Sequence, residues 1–341
     1  MKKIFTLGML AILVLSSCGD DSSKKGYLSF GRVYDNVNDV FSKDSDQTYA
    51  SFKQAADNEE SFIMFTYNTY TCGCYITFRD TMKQYLFDNN IDILTINASE
   101  LEGKETYGFN YPSNSNYFPS IALFKDGKAI KQINYSSDND VFTNLETFKA
   151  LINDNFYLSK MYHISKDFLD DKISNDNDFL IYFRQETCPD CAEFFKSTLL
   201  PYVKNNYESL KDNYFYMMDK NYDFGEDIPS DKDAWQDVKD DYGLSNKYNV
   251  ELGYNTGYVP TVQYYSKSAI EAMMVFYNDS FSDGKVARSY YTSDMIKKQE
   301  YLNNDQSFIL EGKSATKESE LLSTYTKISG AFFNYYWLET L

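Results

Sequence analysis

Apolar and polar positions along the chain follow one order of periods, and then follow it again. A helical period over residues 49–56 precedes Phe62-Ile63-Met64-Phe65, an apolar run of strand length. Phe78, Met82, Tyr85 and Leu86 then recur at helical spacing and predict an amphipathic helix. A strand is expected over 91–96 and another in Phe118-Pro119-Ser120-Ile121-Ala122-Leu123-Phe124. Asp126-Gly127 signals a hairpin turn into a returning strand over 129–135, and a helix over 145–156 closes the unit.

The second half repeats the order: a helix over 166–173, the strand Phe179-Leu180-Ile181-Tyr182-Phe183, a helix with Phe194, Phe195, Leu199 and Leu200, and a strand over 214–218. Val259-Pro260-Thr261-Val262-Gln263-Tyr264-Tyr265 and a paired strand over 269–277 follow. From Cys72 to Pro119 is 47 residues and from Cys188 to Pro260 is 72, so the second unit holds an insertion of 25, placed within about 219–257. Asp219 to Asp223 resembles a calcium loop only faintly, because Phe224 and Ser230 stand where glycine and glutamate are needed. In the tail, 317–341, Leu321, Leu322, Tyr325, Ile328, Phe332, Phe333, Tyr336 and Trp337 keep helical spacing and predict a docked closing helix.

Composition adds a compartment. Met1-Lys2-Lys3 is a basic head and residues 4–15 are apolar, too short a run for a dependable membrane span. The run ends in Leu15-Ser16-Ser17-Cys18, so residues 1–17 read as an export signal. The segment resembles the bacterial lipoprotein signal. That resemblance implies cleavage before Cys18, lipid on its sulfur, and an extracytoplasmic protein anchored to the cell membrane, with residues 18–26 as a polar tether. The formal charge of −17 becomes −19 once Lys2 and Lys3 are removed, which argues against nucleic acid or anionic headgroups as partners. The 324 residues remaining of 341 suggest two domains, 27–158 and 159–341. With 43% hydrophobic residues and 32 tyrosines there is material for two cores, and many tyrosines are expected half-buried with wet hydroxyls.

Five cysteines are distributed without remainder: Cys18, the pair Cys72/Cys74 and the pair Cys188/Cys191. Outside the cytoplasm, pairs this close are redox centres or metal clips, since so short a loop constrains the unfolded chain little. A cysteine at a helix N-terminus has its pKa lowered by the dipole and the free N–H groups. Cys191, three residues on, returns to the face of Cys188, and Pro189 suits the first helical turn.

A strand running into Cys-x-x-Cys at a helix start, with a proline-led strand later, resembles the thioredoxin family, here twice over, at roughly 46–158 and 163–300. The resemblance implies an α/β fold of two tandem thioredoxin-like domains, each a central mixed sheet flanked by helices. It implies thiol-disulfide exchange with exported proteins, without a cofactor. Cys188 would be the attacking sulfur and Cys191 the resolving one, with Pro260 a cis proline facing them between Val259, whose backbone meets a substrate chain, and Thr261. Cys72, Cys74, Phe118 and Pro119 would take those places in the first half. Two features depart from the family: its buried acid six residues ahead of the first cysteine is Thr66 and Tyr182 here, and its preceding tryptophan is Thr71 and Thr187. Glu186 and Asp190 are possible substitutes for the acid.

Cys74 sits one place early, so a 72–74 bridge is expected to bend Gly73 out of helical geometry and to reduce easily. On that ground electrons would pass from the second dithiol to the first. A four-thiolate zinc site is the poorer reading, because each pair lies in its own strand-helix unit. The lone His163 excludes centres needing several histidines and is expected between the domains. The rival in another class is a lipid-anchored adaptor that uses the same folds to hold extended chains, with little redox turnover.

Overall fold

The computed structural model describes residues 25–41, 48–68, 72–111, 118–210, 214–220, 232–244, 247–249, 253–255, 259–275, 326 and 329–341. Residues 1–17, Cys18, Thr71, residues 221–231, 245–246, 250–252 and 256–257 of the insertion region, and Leu321, Leu322, Tyr325 and Ile328 of the tail lie outside them.

Two short strands, β1 (Gly26–Tyr27) and β2 (Gly31–Arg32), precede α1 (Tyr49–Asp57). Thr48 caps α1 through its side chain, as a β-hydroxyl at that position does. β3 (Phe62–Tyr67) leads through the first cysteine pair into α2 (Gly73–Asp88). β4 (Ile93–Asn97), β5 (Ser120–Lys125) and β6 (Lys128–Asn134) complete a sheet of order β4-β3-β5-β6, parallel at β3/β4 and antiparallel elsewhere. Asp126 and Gly127 both take positive φ in the β5–β6 turn, and a Cβ at Gly127 would lie 2.2 Å from the Ala56 carbonyl oxygen, so this turn requires glycine. α3 (Asp140–Thr143) and α4 (Leu145–Asn155) close the unit.

Period-two alternation along β3 supplies both faces of that sheet. Ile63, Phe65 and Tyr67 meet Phe78, Met82 and Leu86 of α2 and Phe148 of α4, while Met64 meets Phe52 of α1. Phe65 stacks on Phe78 at 4.5 Å.

After β7 (Phe156–Tyr157), the second unit begins with β8 (Met161–His163) and α5 (Lys166–Ser174), capped by Ser165. β9 (Phe179–Arg184) enters the second cysteine pair. From there α6 (Pro189–Phe194), a π turn over Phe195–Leu199 and α7 (Leu200–Asn206) run on as one helical rod. β10 (Phe215–Asp219) and α8 (Lys232–Asp241) follow, then β11 (Lys247–Asn249), β12 (Gly253–Asn255), β13 (Thr261–Ser266) and β14 (Ala269–Val275). The strand order β14-β13-β9-β10-β8, with β9/β10/β8 parallel and β13 antiparallel to both neighbours, repeats the first sheet and adds a strand. Both halves are therefore thioredoxin-like α/β domains. The described end of the tail docks Phe332, Phe333 and Trp337 into the second core, Trp337 lying 4.8 Å from Phe215.

The division at 158/159 is crossed by the N-terminal segment. β2 pairs in parallel with β8 and extends the second sheet, while Arg32 N–H also donates to the Asn90 carbonyl of the first unit. Gly31 packs so closely against Asn90 and Tyr162 that a Cβ would come within 3 Å of both. The expectation of wet tyrosines fails at Tyr67, Tyr75 and Tyr182, which are fully buried in the cores. No helix among the described residues is long and apolar enough to cross a membrane.

Candidate active site

Both cysteine pairs sit where a buried strand ends and a helix starts, because an apolar β3 or β9 carries the chain from the core to the sheet's edge. Cys188 is the N-cap of α6 with extended backbone (φ −82°, ψ 119°), and Pro189 takes the first helical position, where no N–H is missed. The Cys188 Sγ is half-exposed and donates to the Val259 carbonyl oxygen at 3.7 Å. The Val259-Pro260 peptide is cis, as is Phe118-Pro119. Thr261, next along, is fully buried at the head of β13.

Cys191 is buried on the inner side of the same turn. A hydrogen bond from Cys191 is the main cause that lowers the Cys188 thiol from its ordinary value to about 7, against the cost of its own burial and the nearby Asp190 charge. Burial, together with the hydrogen bond to Cys188, pushes Cys191 well up. One sulfur is thus ready as a nucleophile near neutral pH and the other is held as its proton-bearing neighbour. Alkylation of Cys188 by iodoacetamide should rise with pH around a midpoint near 7, with Cys191 unlabelled over the same range; a single midpoint close to 9 would contradict this arrangement.

The first pair differs. Cys72 and Cys74 are joined by a disulfide with Cα atoms 5.2 Å apart, and both are half-exposed. The bend expected at Gly73 is absent: Gly73 is the first residue of α2, and the departure from helix is at Cys72, the N-cap, with φ −64° and ψ 128°. The bridge forms because a cap residue has freedom that a helical one lacks, so the helical-spacing argument for an easily reduced bond does not apply. The Cys72 Sγ accepts from Cys74 N–H at 3.3 Å. The place equivalent to Cys191, three residues beyond the first cysteine, belongs to Tyr75, which is buried and donates to the Phe41 carbonyl at 3.2 Å.

Sequence reasoning missed the charges behind the second site. Arg184, the last residue of β9, is buried, with its Nη2 3.5 Å from Glu60 of the first unit and its Nε 3.3 Å from Asp219 at the end of β10. Glu60 and Asp219 raise the guanidinium pKa against the cost of desolvation. Its plane lies over Phe30 at 4.9 Å. A cavity of about 370 Å³ opens beside this cluster between the two units, with His163 and Glu186 in its wall. An arginine ending an otherwise apolar strand was the available signal, but its partner in the other half was not. Glu186 and Asp190, the expected substitutes for a buried acid, are both half-exposed. The buried ionisable neighbours of Cys191 are Tyr182 and Arg184. Among the described residues no group of His, Cys, Asp and Glu side chains has the arrangement of a metal site.

No family model matches the chain, and no curated protein matches it. Among solved structures, human ERp44 in crystal form I is similar at 13% identity over 70% of this chain and 48% of its own, with a TM-score of 0.30. The zinc-bound form of human ERp44 is similar at 14% identity over 62% and 46%, with a TM-score of 0.22. The first two thioredoxin domains of Saccharomyces cerevisiae Eps1p are similar at 14% identity over 70% and 92%, with a TM-score of 0.22. The chain spans about half the length of the ERp44 chains it resembles. These likenesses are distant, and the tandem thioredoxin-like fold stands on the strand orders and registers themselves.

Proposed function

We propose that the protein is an extracytoplasmic thiol-disulfide oxidoreductase, held at the membrane by lipid on Cys18, that exchanges disulfides with exported proteins through Cys188 and Cys191. The observation that carries the reading is the opposed pair of thiols: a half-exposed sulfur lowered to about 7 beside a buried one pushed up, under a cis-proline strand end.

In the exchange, the Cys188 thiolate attacks one sulfur of a substrate disulfide and expels the other as a thiolate, which takes a proton from water. Cys191 then attacks the Cys188 sulfur of the mixed disulfide, the Cys188–Cys191 bond forms, and the second substrate sulfur leaves with the proton that Cys191 gives up. The backbone of Val259, beside the Cys188 sulfur and just ahead of β13, would pair with an extended substrate chain. Cys72–Cys74, already bridged and lacking a buried second thiol, is an accessory site whose exchange would be driven by solvent-side reagents.

Purified protein freed of lipid should reduce or oxidise a fluorescent disulfide reporter with turnover. Absence of any turnover, with folding verified, refutes the oxidoreductase reading and favours the adaptor. The anchor has its own check: a labelled fatty acid should be incorporated into the protein and sediment with membranes, and Cys18→Ala should abolish both. Retained label in that variant would place the lipid elsewhere or the anchor in error.

A further inference from the structure

Tyr182 is 1% exposed, and its hydroxyl makes no hydrogen bond of regular geometry within the described residues, the polar group close enough to act on it being the Cys191 thiol. A buried hydroxyl without a partner is unfavourable, and native cores leave few of them. Its ring is held at 5.5 Å from Phe194 and 6.2 Å from Phe215. Phe194 lies three residues beyond Cys191 on the same face of α6, so the tyrosine stands beneath the turn that carries the buried sulfur. Ionisation of the hydroxyl is opposed by burial first and by Cys191 next.

The other half of the chain supplies an internal comparison. Thr66 stands six residues ahead of Cys72 as Tyr182 stands ahead of Cys188, and its hydroxyl is satisfied by Ser120 Oγ at 2.6 Å. The place of the buried thiol there belongs to Tyr75. Where no buried thiol exists, the strand hydroxyl is paired; where one exists, it makes no bond of regular geometry.

We propose that the Tyr182 hydroxyl is the hydrogen-bond donor that stabilises the Cys191 thiolate while this sulfur attacks a mixed disulfide on Cys188. The inference rests on the oxidoreductase reading. Tyr182 keeps its proton throughout; the proton lost by Cys191 leaves with the substrate thiol, and the only bonds exchanged are the two disulfides. The ionisable groups facing the pair are Cys188 at the helix mouth and Arg184 two residues along β9, the latter held by Glu60 and Asp219.

The test uses the full chain with Cys18→Ser, Cys72→Ser and Cys74→Ser, so that only Cys188 and Cys191 react with a chromogenic aromatic disulfide. One chromophore is released when Cys188 attacks and a second when Cys191 resolves. Adding Tyr182→Phe should leave the first release unchanged, slow the second by about tenfold or more at pH 7, and move its pH midpoint upward. The melting temperature should not fall, because a hydroxyl without a hydrogen bond of regular geometry contributes little to the folded state. An unchanged second release overturns the proposal, as does equal slowing of both releases with a lower melting temperature, which would make Tyr182 a packing residue only. If the protein with Tyr182 intact gives no second release, the oxidoreductase reading itself fails.

Discussion

Cys188→Ser is expected to lower disulfide-reporter turnover by at least about a thousandfold, since an alkoxide-forming hydroxyl cannot replace a thiolate that is ionised at neutral pH. The remaining thiol does not compensate. Cys191 is buried, and its ionisation is opposed both by that burial and by its neighbour. Cys191→Ser should behave differently: the first attack proceeds, the resolving step is lost, and substrate accumulates as a mixed disulfide on Cys188, visible as a reducible band on a non-reducing gel. Cys72→Ser with Cys74→Ser should leave most of the turnover. If instead that pair carried the activity and Cys188→Ser had little effect, the assignment of the reacting sulfur would be reversed.

Arg184→Met is the change with the largest expected cost in stability. It removes the buried guanidinium that lies 3.5 Å from Glu60 and 3.3 Å from Asp219, both of them buried carboxylates. Removing one partner of a buried ionic cluster costs about 3–5 kcal/mol, which for a chain of this size corresponds to a fall of roughly 10 °C in melting temperature. The pH dependence has a definite sign. Burial already raises the Glu60 carboxyl above its ordinary value, and loss of Arg184 would raise it further. A group raised in the folded state contributes stability below its unfolded pKa and loses it as pH rises, so the deficit of the variant should narrow on acidification. A deficit that is small, or that is the same at pH 5 and pH 8, would show that these ions are solvated rather than enclosed. Arg184 also lowers the Cys191 thiol, so slower resolution should accompany the loss of stability.

Much of the site could be read locally. Cys188, Pro189 and Cys191 announce a helix mouth because three residues make one turn, and β9 and β3 announce themselves as unbroken apolar runs. Pro119 and Pro260 were legible as strand starts by their recurrence, and the Asp126-Gly127 turn by its residue types. Gly73 shows where such reading goes wrong: spacing alone assigned the bend to the permissive residue, whereas the helix simply begins after Cys72 and leaves the cap to do the bending.

The order of strands and helices, the doubling of the unit and the residues at each helix mouth followed from the sequence by itself, since period, spacing and turn chemistry act over a few neighbouring residues. The tertiary structure alone decided that Arg32 joins the second sheet, that Arg184 meets Glu60 from the other half, and that Tyr182 is left without a regular hydrogen bond beneath Cys191. Those facts depend on how two finished domains and their cores pack in space, and the partners involved are too far apart along the chain for any local pattern to pair them.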